Sequence, residues 1–148
     1  MEDKKRYGEE NDLNLKVVIG VSRANQKIQR EGAVIFKEGG LTTAQFAVLE
    51  ALYHKGTLTI QEIITSILST GGNMTVVINN LEKEKLIERH VNPNDKRSSL
   101  IGITEKGKSI IEDIFPKHLQ SLKEQFQVLT IEEKKTLVEL LRKLGTKE

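Results

Sequence analysis

The sequence predicts a mainly α fold with a small β-hairpin wing: a winged helix-turn-helix whose N- and C-terminal helices form a dimerisation region. Three observations carry that expectation. Capping patterns at Thr42 and Thr59 mark the starts of short apolar helices, Arg89 to Ile103 reads as a hairpin around a polar, charged turn, and both chain ends hold more apolar helix than such a module can cover.

The elements follow in order. Leu13, Val17, Val18 and Val21, then Ile28, Val34, Ile35 and Phe36, space a long first helical region within residues 1–40. Thr42 with Gln45 spells a capping box, in which the hydroxyl accepts from an otherwise orphan amide and the glutamine reaches back; Leu41 and Phe46 form its hydrophobic staple. Phe46, Val48, Leu49 and Leu52 then recur at helical spacing until Gly56. A two-residue link, Thr57-Leu58, should turn the chain into a helix opened by a second box, Thr59 with Glu62. Gly71-Gly72 break the chain after Leu68.

The next helix turns Met74, Ile78 and Leu81 inward, with Val77 beside them. Its other face carries Asn73, Thr75, Val76, Asn79 and Asn80, with Lys83 one turn further on. Asparagine can pair with two edge atoms of adenine, threonine can donate or accept, and the methyls of Thr75 and Val76 can meet a thymine methyl, so this face suits the major groove. The plainer reading is a solvated polar surface. Val76 speaks against it, because an apolar residue on a polar face wants a partner.

After the charged end Glu82-Lys83-Glu84-Lys85, Leu86-Ile87 re-enter the core. Arg89 to Val91 and Ser99 to Ile103 form the hairpin strands, joined by Pro93-Asn94-Asp95 turn chemistry. The wing tip presents Asp95, Lys96, Arg97 and Ser98. An arginine on a narrow hairpin can enter a minor groove, with Asp95 placed to hold the loop or orient it; taken alone, such a tip is ordinarily just solvated. The module thus spans 41–107. Residues 108–148 supply Ile110, Ile111, Ile114, Leu119 and Leu122, a proline, Pro116, that should end or bend the helix near Phe115, and a last helix. Thr130 with Glu133 caps that helix, and Leu137, Leu140, Leu141 and Leu144 stripe it.

Composition narrows the function. The 148 residues include no cysteine, which excludes disulfides, cysteine zinc sites and thiol chemistry. His54, His90 and His118 are scattered, and Glu50 with His54, four apart, reads as a surface pair before a metal site. With no phosphate-cradling glycine motif and no nucleophile elbow, the expectation is no enzyme, no catalytic residue and no cofactor. No stretch reaches the roughly 20 apolar residues of a membrane span, so no membrane partner and a cytoplasmic location are expected. Net charge is only +2. From Thr59 to Gly107, Lys83, Lys85, Arg89, Lys96, Arg97 and Lys106 are offset by Glu62, Glu82, Glu84, Glu88, Asp95 and Glu105. Without a basic patch, useful affinity for double-stranded DNA needs two copies of the chain or good direct readout.

Leu41-Thr42, Gln45 to Leu49, Thr75, Ile78, Leu81-Glu82-Lys83, Leu86 to Arg89, Asp95-Lys96-Arg97 and Ile103 to Gly107 together resemble the MarR family of bacterial transcription regulators. The wing pattern, Asp-x-Arg followed six residues on by Ile-Thr-x-x-Gly, is the most specific part. The resemblance implies a triangular homodimer built through both chain ends, with one recognition helix per subunit in the major groove and one wing arginine in the minor groove. Carried over by position, Asn73, Thr75, Val76 and Asn80 face bases, Arg97 enters the minor groove and Asp95 supports it. Many relatives have arginine where Val76 stands, and oxidant-sensing members use a cysteine that this chain lacks. The resemblance therefore implies a small apolar or phenolic effector bound between the dimer region and the module. Its candidate lining is Phe36, Phe46, Leu49 and Tyr53, against the simpler reading of each as core packing. The function expected is a pseudo-palindrome-binding repressor; the alternative is a winged-helix module that binds protein instead of DNA.

Overall fold

The computed structural model describes residues 4–67 and 73–145, and places six helices and three strands among them. The Gly71-Gly72 break lies outside the described residues. Helix α1, Glu9–Glu38, opens on Glu9, Glu10 and Asp12, whose charges suit the positive end of the helix dipole. It closes in a Schellman turn. Gly40, at φ 82, donates to the Lys37 carbonyl at 2.9 Å and Leu41 to the Phe36 carbonyl at 2.9 Å, which seats Leu41 over Phe36.

Thr42 then starts α2, Thr43–Lys55, through the full capping box: Gln45 N–H donates to Thr42 Oγ1 at 3.1 Å, and Thr42 N–H to Gln45 Oε1 at 3.0 Å. Phe46, Val48, Leu49, Ala51 and Leu52 are all buried, so this helix is the centre of the module. Helix α3 is Ile60–Ile67 and α4 is Met74–Lys83. Strand β1, Leu58–Thr59, pairs antiparallel with β3, Ser99–Ile103, which pairs with β2, Ile87–Val91.

Strand β1 corrects the expected Thr57-Leu58 link. Leu58 lies opposite Ile101 and Thr59 opposite Leu100, so a stretch that locally reads as a linker is bound into the sheet by a hairpin some forty residues away. The Thr59 cap changes with it. Glu62 N–H donates to Thr59 Oγ1 at 3.1 Å, but the glutamate takes its return bond from the Thr59 hydroxyl instead of the backbone.

Thr104 caps α5, Glu105–Phe126, by accepting from Gly107 N–H at 3.1 Å, and its hydroxyl donates to the Lys85 carbonyl at 2.8 Å. Only glycine fits at Gly107, because a Cβ there would run into the Leu86 carbonyl and lie 2.8 Å from Ile103 Cγ1. Pro116 does not end the helix near Phe115; α5 continues to Phe126. The proline removes one donor, for the Glu112 carbonyl, and both residues lie on the exposed side where water can replace it. Helix α6, Ile131–Gly145, begins at the Thr130/Glu133 box, with bonds of 2.9 and 3.1 Å.

One apolar cluster runs from Phe36 of α1 through Leu49, Ile63, Ile78, Leu81 and Ile101 to Ile111 and Ile114 of α5. In contrast, α6 buries no residue, and Leu13, Val17, Val18 and Val21 of α1 stay exposed. No helix among the described residues is long and apolar enough to cross a membrane.

Candidate nucleic-acid interface

Burial decides which face of α4 is presented. Met74, Ile78 and Leu81 are at most 2% exposed, so the opposite side must face out. Asn73, Thr75, Val76, Asn79, Asn80 and Lys83 are all exposed, Val76 by 57%. Asn73 sits at the N-cap but makes no capping bond, so its amide is not consumed by the helix. The far end is locked by a second Schellman turn. Leu86 donates to the Leu81 carbonyl and Lys85 to the Glu82 carbonyl, each at 2.9 Å, with Lys85 at φ 64 where glycine is usual.

Arg89 ties this helix to the hairpin. From β2 its Nη2 donates to Asn79 Oδ1, and its Nε donates to Glu82 Oε1 at 3.1 Å. Asn79, expected as a base reader, is therefore held from behind by an arginine that sequence reasoning left without a role.

The wing is built around a residue that sequence reasoning passed over. Asn92 is 9% exposed; its Nδ2 donates to Ser98 Oγ at 3.0 Å and its Oδ1 accepts from Asn94 N–H at 3.0 Å. These bonds close the loop across its base. The signal was present in the Asn92-Pro93 pair, a common turn opener. At the tip, Asp95 Oδ1 accepts from Arg97 N–H at 3.0 Å and from Arg97 Nε at 3.4 Å. The Arg97 side chain is nevertheless 94% exposed, so Asp95 aims the guanidinium without burying it. Lys96 is exposed beside it. Ser98 instead spends its hydroxyl inside the wing, accepting from Asn92 and donating to the Asp95 carbonyl at 3.4 Å.

The candidate effector residues fall on an aromatic cluster between α1, α2 and α5. Phe36 and Phe46 stack at 3.9 Å, and His118 stands over both at 5.2 and 5.4 Å. Phe115 lies 4.8 Å from His54, whose Nδ1 is 3.1 Å from Glu50 Oε1. Tyr53, 38% exposed, donates to Glu112 at 3.3 Å, while Leu49 is wholly buried behind. The fold thus gathers His54 and His118, which are far apart in sequence. Among the described residues the buried Nδ1 of His118 finds no hydrogen-bond partner. Burial holds its pKa below the ordinary value of 6.5, partly opposed by Glu50. No group of three or more metal-ligating side chains occurs among the described residues.

Comparison with known proteins agrees with this layout. A model of the MarR family matches residues 41–99, from the α2 cap to the start of β3. The HTH-type transcriptional regulator MhqR of Bacillus subtilis (strain 168) is 39% identical over 134 residues, which cover 90% of this chain and 92% of that protein. A crystallised single-residue mutant of MarR from E. coli, complexed with operator DNA, superimposes with a TM-score of 0.82 at 27% identity over 93% of this chain and 99% of that one. Bordetella bronchiseptica BpsR, whose DNA binding is regulated by 6-hydroxynicotinic acid, gives a TM-score of 0.70 at 27% identity over 85% of this chain and 98% of that one.

Proposed function

The chain belongs to the MarR family and is a transcriptional regulator, not an enzyme, and from that premise we propose that it acts as a homodimeric repressor released by a small apolar or phenolic molecule. Each subunit lays the exposed face of α4 in a major groove and Arg97 in the adjacent minor groove of double-stranded DNA in the cytoplasm. The observation that carries this reading is the wing: a 94% exposed guanidinium, aimed by Asp95, at the tip of a loop closed by Asn92. Beside the exposed Lys96, this arginine puts at the tip the positive charge that a phosphate-rich surface attracts.

Residues 1–40 and 108–148 form the dimer region. A compact monomer of 16.7 kDa exposes about 7,600 Å², whereas this chain exposes 11481 Å². Apolar side chains contribute to the excess: Leu144 of α6 lies beside Val17, Val18 and Val21 of α1 around one shallow concavity, and Leu137, Leu140 and Leu141 are exposed elsewhere on α6. The effector lining this reading assigns is Phe36, Phe46, Leu49 and Tyr53, beside His118, whose buried Nδ1 lacks a hydrogen-bond partner among the described residues and can bond a hydroxyl group. Regulation of BpsR DNA binding by 6-hydroxynicotinic acid supports a small hydroxylated aromatic effector as the class of ligand.

Selection of bound DNA from a random pool, at two fixed salt concentrations, tests the reading alongside sedimentation of the protein. The expected product is a pseudo-palindrome with half-sites about one helical turn, roughly 10 bp, apart, bound by a species of twice the chain mass. Exchanging Val17 and Leu141 for glutamate should give monomers and abolish selection. Enrichment of a single unpaired half-site, or a monomer at binding concentrations, overturns the dimer; no enrichment at all overturns DNA binding.

A further inference from the structure

We infer that Arg89 sets the base preference of Asn79 by fixing which end of its amide faces the DNA. This rests on the proposed major-groove placement of α4 and adds to it a predicted letter in the operator.

A guanidinium has five donors and no acceptor, so the atom of Asn79 that meets Arg89 Nη2 has to be Oδ1. The amide cannot flip without setting N–H against N–H. Arg89 is itself fixed from its other side, by the 3.1 Å bond from Nε to Glu82 Oε1, and its side chain is 31% exposed. Its backbone lies opposite Ile101, the wholly buried middle of the sheet, so the clamp stands on rigid structure. With Oδ1 turned toward β2, the end of Asn79 that points away carries the two Nδ2 hydrogens.

Bidentate pairing with adenine needs the oxygen and the nitrogen of the amide side by side on the base edge, one accepting from N6 and one donating to N7. Arg89 engages one of the two Oδ1 lone pairs and turns that oxygen toward β2, so the end of Asn79 that reaches outward offers donors. It suits O6 and N7 of guanine or O4 of thymine; at adenine it can donate to N7 but sets N–H against the N6 donor, which disfavours the base that an unconstrained asparagine would choose. Asn73 and Asn80 have no such clamp on their amides among the described bonds, and the inference does not extend to them. Arg89 is a positioning residue in this scheme, because it acts on DNA through Asn79.

The test is a set of random-pool selections with the full chain as wild type, Asn79→Ala and Arg89→Met. Asn79→Ala identifies the position it reads, as the one whose preference is lost. At that position the wild type should select guanine or thymine, with adenine about tenfold weaker, and Arg89→Met should raise adenine to parity or above. Adenine at that position in the wild type overturns the inference. So does a uniform loss across all sequences in Arg89→Met, which would make Arg89 a phosphate contact, or an Asn79→Ala profile identical to wild type. If Arg89→Met does not fold, the wild-type base at the Asn79 position still decides. A wild type that enriches no sequence fails differently, by removing the DNA-binding reading itself.

Discussion

Replacing Arg97 with alanine separates DNA binding from folding more cleanly than any other single change. Its guanidinium is 94% exposed and its partner Asp95 46% exposed, at 3.4 Å. An ion pair that open contributes about 0–1 kcal/mol to folding, so the melting temperature should move by no more than about 3 °C. On DNA the balance differs. The segment from Thr59 to Gly107 has no surplus of basic residues to stand in for the missing one. A hydrogen bond to a charged group is worth about 1.5–3 kcal/mol, and a symmetric dimer loses two of them, so affinity should fall roughly 10²- to 10⁴-fold. The slope of log affinity against log salt should also drop by about 2 for the dimer. Fluorescence anisotropy on the selected site, over a series of KCl concentrations, reads both quantities. Unchanged affinity and slope with intact melting would refute the groove placement, while a large fall in melting temperature would show the pair to be structural. Asn92→Ala provides the coupled control. It should weaken binding about tenfold by loosening the loop, and have no further effect in the Arg97→Ala background.

Two predictions concern stability. Gly107→Ala places a methyl against the Leu86 carbonyl and Ile103, and overpacking of this kind costs about 2 kcal/mol, or about 6 °C in melting temperature at fixed protomer concentration; an equal or higher value would show that the turn can relax. His118 has its pKa lowered by burial, so between its folded value and the ordinary 6.5 the unfolded chain binds more protons than the folded one. Stability should therefore be unaffected by this group above that window and fall as pH drops through it. His118→Leu carries no such proton, so wild type should lose melting temperature relative to the variant between about pH 8 and about pH 5. Parallel curves would place His118 in a polar, solvated setting.

Much of the fold is legible in the text because it rests on short-range chemistry. All three Thr-x-x-Gln/Glu patterns cap helices that start at Thr43, Ile60 and Ile131, since a hydroxyl three residues before an amide is already within reach of it. The Met74, Ile78 and Leu81 stripe is buried for the same reason of periodicity, and Asp95 meets Arg97 because two residues cannot stray far apart. What was missed at Leu58 depended on a neighbour distant in sequence, and at Pro116 on which side of α5 faces water. Nothing near Leu58 announces Ile101, and nothing near Pro116 tells that α5 continues past it.

The sequence by itself determined the helix starts, the outward face of α4 and the charged wing tip, because each follows from spacing within a turn or a hairpin. Only the tertiary structure decided that Asn92 closes the wing, that His118 meets Phe36 and Phe46, and that Arg89 turns the amide of Asn79. The His118 and Arg89 contacts join separate elements, with directions set by how the core packs α4 against the sheet and α5 against α1 and α2, while the Asn92 bonds close within the hairpin loop. A list of residues names the polar groups on α4; the packing behind them sets which atom of Asn79 meets Arg89.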